Sequence, residues 1–149
     1  MSADQEHIQL FNESGKELSL GLDLVQHIAA LVETHENCSF SLLEVVFVDE
    51  KEIKKLNREH LGRNYVTDVI TFPYEKNKQD LEGTVFICLP RVYEQALEYN
   101  EEENRELRRV LIHGLMHLVG YRDGDEDARK KMTERENFYL EALDQSGDG

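Results

Sequence analysis

A chain of 149 residues, 40% hydrophobic and 32% charged, can bury one core without cross-links, and its composition excludes a disordered polymer. No window approaches the roughly 18 apolar residues of a membrane span, and Met1–Gln5 lacks the basic-then-apolar pattern of a leader; a cytoplasmic protein with no membrane partner is expected. Seventeen Lys and Arg against 31 Asp and Glu give a net charge of −14, a field that repels phosphates at long range.

Ile8, Leu10 and Phe11 suggest a short first strand, ended by the turn-like Asn12–Gly15. Leu22, Val25, Ile28, Ala29 and Val32 recur at helical spacing, which predicts an amphipathic helix from about Ser19 to His35, stopped by Asn37. Ser39–Val48, rich in β-branched residues, reads as a strand, and Asp49 as N-cap of a helix from Glu50 to about His60. Asp68–Phe72 and Thr84–Leu89 are two further strand candidates, followed by a helix from about Arg91 to Tyr99 with Pro90 at its start. The next helix runs from about Asn104 to Val119 and stops at Gly120; Asp125 or Asp127 caps a last one carrying Met132, Phe138, Leu140 and Leu143. There is no internal repeat, low-complexity tract or linker, so residues 1–149 read as a single domain. Strands interleaved with helices predict an α/β (α+β) fold, with one small mixed sheet of about four strands packed with about five helices. Cys38 and Cys88 read as two buried thiols in a reducing compartment, with one disulfide between them as the alternative.

The stretch that carries chemistry is Leu111-Ile112-His113-Gly114-Leu115-Met116-His117-Leu118-Val119-Gly120-Tyr121-Arg122-Asp123. Four residues along a helix advance about 400°, so His113 and His117 stand one turn apart on one face, placed to share an ion about 2.0–2.1 Å away. Gly120 breaks the helix, and Asp123 can fold back as third ligand, with Asp125 and Glu126 as alternatives. Three protein ligands leave a position for water, the mark of a catalytic site. The apolar neighbours Leu111, Leu115 and Leu118 put this helix in the core, where an unpartnered imidazole costs free energy; two there need a shared reason. The general-base Glu of an H-E-x-x-H peptidase is replaced by Gly114, which disfavours that design and suggests a close neighbour packed on the helix. Two basic clusters run against the overall charge: Lys54, Lys55, Arg58 and Arg63 against the single acid Glu59, and Arg105, Arg108 and Arg109. Each is either a phosphate-binding patch or a solvated helix face.

At His113, Gly114, His117, Leu118, Gly120 and Tyr121 the chain resembles the YbeY family of bacterial endoribonucleases, whose motif runs H-G-x-x-H-L-x-G-Y-D-H. A second family motif, L-N-x-x-Y-R followed by P-T-D-V-L-S-F-P, is echoed by Leu56, Asn57, Thr67, Asp68, Val69, Phe72 and Pro73. The resemblance spans about Val45 to Asn137 and implies a mixed α/β fold, one Zn2+ ion and cleavage of single-stranded RNA near the 3′ end of small-subunit rRNA. It further implies the ribosomal small subunit as partner, a role in ribosome quality control, and no DNA substrate. The chain departs from the family pattern in four places. Asp123 stands for the third His and Arg122 for the Asp before it; Leu61 stands for an Arg, with Arg63 two residues on; Thr84 stands for an Asp. A carboxylate ligand softens the site's pull on water and opens it to other divalent ions.

The expected mechanism is metal-assisted hydrolysis of a phosphodiester. His113, His117 and Asp123 hold the ion, Arg58 and Arg63 hold phosphates, and Asp68 serves as a carboxylate orienting a ligand histidine. Two other readings are a hydrolase of peptides or esters and a non-catalytic ribosome assembly factor with a structural zinc.

Overall fold

The structure, a computed structural model, describes residues 7–146. Its elements are β1 (Ile8–Asn12), α1 (Leu22–Glu36), β2 (Phe40–Val48), α2 (Glu50–Leu61), β3 (Val69–Glu75), β4 (Leu81–Cys88), α3 (Leu89–Glu98), α4 (Glu103–Val119) and α5 (Glu126–Ser146). The strands form one mixed sheet in the order β1-β2-β4-β3, in which β1, β2 and β4 are mutually parallel and β3 is antiparallel to β4. Four strands and five helices in an α/β arrangement match the expected class.

Alternation along the strands divides the core in two. Leu43, Val45, Phe47, Val85 and Ile87 point to one face and pack with α1, α3, α4 and α5 into the main cluster, which includes Leu111, Leu115, Met132, Tyr139 and Leu143. Val46, Val48, Ile70 and Cys88 point to the other face, where Ile53 of α2 covers them. Helix α4 lies against β3 and β4, and it reaches them because residue 114 has no side chain. A Cβ built there would come within 2.7 Å of Val85 Cγ1 and 3.4 Å of Thr71 Oγ1. The close neighbour predicted at Gly114 is therefore the sheet itself.

The element ends follow from local chemistry. Helix α1 begins three residues later than its periodicity suggests, because Ser19 is tied by its hydroxyl to Asn104 Oδ1 and Gly21 stays extended as the N-cap; Asn37, at φ 55°, ends it as expected. Asp49 Oδ1 accepts from Glu52 N–H (2.8 Å) to cap α2, and Asp125 Oδ1 accepts from Ala128 N–H (2.8 Å) at the start of α5, which settles the choice between Asp125 and Asp127. Gly120, at φ 124°, stops α4 and turns the chain back toward the histidines. Strand β3 runs through Pro73 to Glu75, longer than predicted. It is an edge strand, where a proline costs no ladder bond if its nitrogen faces outward. Cys38 and Cys88 are both buried and free, and burial pushes each thiol up to about 11. No described helix is long and apolar enough to cross a membrane.

Candidate metal centre

The two histidines meet as their spacing predicts. On the last two turns of α4 their Nε2 atoms lie 3.1 Å apart, and Asp123 Oδ2, delivered by the turn after Gly120, lies 3.4 Å from His113 Nε2 and 3.3 Å from His117 Nε2. Of the three acids left open by the sequence, Asp123 is the one in the cluster, while Asp125 is engaged as the α5 cap.

What each ring does on its far side decides the chemistry. His117 Nδ1 lies 3.0 Å from the Tyr121 carbonyl oxygen, which can only accept, so this nitrogen carries the proton. His113 Nδ1 lies 2.7 Å from Glu136 Oε2, again an acceptor. Both Nε2 atoms therefore present lone pairs to each other and to a carboxylate oxygen. Three acceptors separated by 3.1–3.4 Å repel unless a proton or a metal cation lies among them. The separations suit ligands 2.0–2.1 Å from a common ion in a tetrahedral set, for which the edge is about 3.4 Å. The residues therefore fit a divalent metal ion, and they form a possible metal site.

Burial disfavours an imidazolium at His113, yet the hydrogen bond and charge of Glu136, with Asp68 and Asp123 nearby, hold its pKa above the ordinary value. The same negative surroundings favour a metal cation. Glu136 is only 7% exposed, and its second oxygen lies 3.4 Å from Arg109 Nη1. A further buried carboxylate, Glu36, steadies the other side of the site. It accepts from Tyr121 Oη (2.9 Å), Tyr139 Oη (2.6 Å) and Arg135 Nη2 (2.5 Å). Burial opposes its charge, but these donors outweigh it and hold the Glu36 carboxyl below the usual carboxylate range. Tyr121, whose carbonyl aims His117, is thus pinned by its own hydroxyl.

The metal cluster forms one wall of a cleft of about 410 Å³, lined by Leu61, Arg63, Thr67, Asp68, residues 69–71 and Pro73 together with His113, His117 and Asp123. Arg63 and Asp68 therefore reach the site, whereas Arg58 lies on the exposed surface of α2 and is not among the lining residues. Asp68 is hydrogen-bonded away from the two histidines. Its Oδ2 accepts from Gln95 Nε2 (3.2 Å), which also donates to buried Glu106 (3.2 Å). The carboxylate that orients a histidine is Glu136, which the sequence reading missed. Burial raises the Glu106 pKa, with Arg109 and Gln95 acting against that rise. Arg105 pairs with Asp144 (2.5 Å), Arg108 is buried, and Arg109 pairs with Glu136. This cluster is structural and not part of the cleft wall. Thr84, one of the departures from the family pattern, lies on the opposite sheet face, bonded to Glu44 (2.8 Å) and Tyr74 (2.9 Å).

A four-stranded α/β sheet backed by a helix with an i,i+4 histidine pair, joined by a carboxylate beside an open cleft, has the donor set of a possible metal site with room for a substrate. The family model for Endoribonuclease YbeY matches residues 6–144, and the chain belongs to that family, whose members are hydrolases. Endoribonuclease YbeY of Chlorobium phaeobacteroides (strain DSM 266) is 37% identical over 133 residues, covering 89% of this chain and 92% of that one. That of Chlorobaculum tepidum is 32% identical over 136 residues, covering 91% and 97%. A solution structure of a Thermotoga maritima protein superposes with a TM-score of 0.59 at 30% identity, over 90% of this chain and 87% of that one.

Proposed function

We propose that this chain is a single-domain, metal-dependent endoribonuclease of the cytoplasm that cuts single-stranded RNA in 3′-end maturation of small-subunit rRNA, with a place in ribosome quality control. Membership of the family supports the reaction class. One observation carries the rest: two imidazole lone pairs and a carboxylate converge beside a cleft that also holds Arg63 and Asp68. His113, His117 and Asp123 hold the ion, for which zinc is the first candidate given two nitrogens and one oxygen. A divalent ion held by these residues would lower the pKa of a bound water and offset negative charge at the phosphate.

The chain's own groups do the rest. Arg63 binds a phosphate at the cleft mouth, and its place beside Leu61 lets it stand in for the arginine that Leu61 replaces. Asp68, held by Gln95, lines the same cleft and would serve as proton acceptor there. Glu136 and the Tyr121 carbonyl keep both rings in the Nδ1–H form, so the Nε2 pairs stay free for the ion. Arg63 carries no sequence information, so choice of cleavage site comes from the ribosomal small subunit as partner. Replacing His117 by Ala tests this reading: metal uptake and RNA cleavage should be lost together. A metal-free His117→Ala protein that cuts RNA at the wild-type rate would refute it.

A further inference from the structure

The cleft is bounded on one side by the backbone of β3. Cys88 N–H donates to the Asp68 carbonyl (2.8 Å), and the register continues as Val69 opposite Ile87, Ile70 opposite Phe86, Thr71 opposite Val85, Phe72 opposite Thr84 and Pro73 opposite Gly83. In an antiparallel ladder, hydrogen-bonded and non-hydrogen-bonded pairs alternate. Residues 68, 70 and 72 therefore bond to β4, and residues 69, 71 and 73 turn their backbone groups the other way. Because β3 is the edge of the sheet, those groups meet no further strand among the described residues. Pro73 fits this phase, since its nitrogen, with no hydrogen to give, falls on the outward side. The outward edge thus offers, in order, Val69 N–H, Val69 C=O, Thr71 N–H, Thr71 C=O and Pro73 C=O. The same three residues line the cleft, and Thr71 lies over Gly114, next to the ligand His113.

The geometry points to this edge as a base-binding subsite: Val69 and Thr71 hydrogen-bond the Watson–Crick edges of unpaired RNA bases beside the scissile phosphate. The inference rests on the ribonuclease reading and deepens it. A protein of net charge −14 gains little from counterion release, so neutral contacts must hold much of the substrate. An alternation of N–H and C=O matches the amide-like face of a uracil. A paired base has that face occupied, so the edge admits only single strands. A peptide would see the same groups, but two N–H donors before Pro73, and a register shift just after it, make a short platform for strand addition.

The test uses the full chain, with and without zinc. Thr71→Pro deletes the outward N–H and no ladder bond; Thr71→Val keeps the N–H and removes the hydroxyl. Affinity for oligouridine and for its N3-methyl counterpart is read by fluorescence anisotropy, and the Val69 and Thr71 amide signals are followed by NMR. Wild type and Thr71→Val should bind oligouridine about three- to tenfold more tightly than the methylated strand, the range of one or two hydrogen bonds. Thr71→Pro, which loses the donor to a uracil carbonyl, should bind oligouridine about three- to tenfold more weakly than wild type, and oligouridine should shift both amide signals of the wild type. A folded Thr71→Pro protein that binds oligouridine like wild type would overturn the inference, as would a wild type indifferent to methylation. If Thr71→Pro does not fold, the methylation and NMR results on wild type decide alone. Cleavage of RNA with unmoved amides would sink the subsite and leave the ribonuclease standing; no binding of RNA at all would sink both. Shifts produced by peptides and not by oligouridine would make the edge a protein-docking site and end the proposal.

Discussion

Replacing Glu136 by Gln changes one charge and almost no volume, so it isolates what the carboxylate does for the metal centre. In wild type, His113 Nδ1–H donates to an ionised oxygen 2.7 Å away, and the acceptor is 93% buried. A hydrogen bond to a charged group contributes about 1.5–3 kcal/mol and one to a neutral group about 0.5–1.5 kcal/mol, so the exchange removes about 1–1.5 kcal/mol of support for the ligating tautomer. Because 1.4 kcal/mol is about tenfold in an equilibrium constant, zinc should bind five- to tenfold more weakly to Glu136→Gln. Glu136→Ala, which also frees the ring to turn, should fall within the 10- to 100-fold loss typical of such supporting groups. Competition with a chromogenic chelator measures the affinity. Thermal melting of the zinc-free proteins checks that the fold persists, since Arg109 also loses a charged partner. An unchanged zinc affinity in a folded Glu136→Gln protein would show that the carboxylate plays no part in presenting His113.

Three other expectations follow from geometry already described. Gly114→Ala drives a methyl group to 2.7 Å from Val85 Cγ1 and should cost about 1–3 kcal/mol of stability, read as a lower urea midpoint with an unchanged slope. Glu36→Gln should cost on the order of 1–3 kcal/mol at pH 7, because Arg135 and two tyrosine hydroxyls lose an ionised partner. The folded pKa of Glu36 lies below its ordinary 4.5, so this stabilisation is complete above that pH and is lost on further acidification. The gap between variant and wild type in denaturant melts should therefore close below pH 4.5 and nowhere else. Arg63→Ala should weaken RNA binding similarly across sequences and lower the salt slope of log K by about one, measured by anisotropy at several salt concentrations.

Much of this molecule could be read from residue order. The phase of Val25, Ile28, Ala29 and Val32, the β-branched run ending at Val48, and the glycine stop at Gly120 each reflect a local rule that tertiary packing did not overturn. The histidine pair was readable because both residues sit on one helix, and Asp123 because only Tyr121 and Arg122 separate it from Gly120. Glu136 and Glu36 were missed because they approach the site from other elements, 23 and 85 residues from the groups they hold. A signal was nonetheless present. Glu136 stands four residues after Met132 and four before Leu140, and Glu36 four after Val32, so each acid occupies the apolar stripe of its helix. An acid where the pattern calls for a hydrophobe needs a buried partner. Asp68 was assigned to a histidine because the motif placed it near the site; the contact that went to Gln95 depends on how α3 packs.

Helix α5 carries Glu136, which aims His113, and beside it Arg135, which anchors Glu36 and through it the Tyr121 turn. His113 precedes the carboxylate that orients it by 23 residues, whereas His117 finds its carbonyl only four residues on. A chain that ended before α5 would therefore keep both imidazoles and lack the buried carboxylate that fixes the His113 ring.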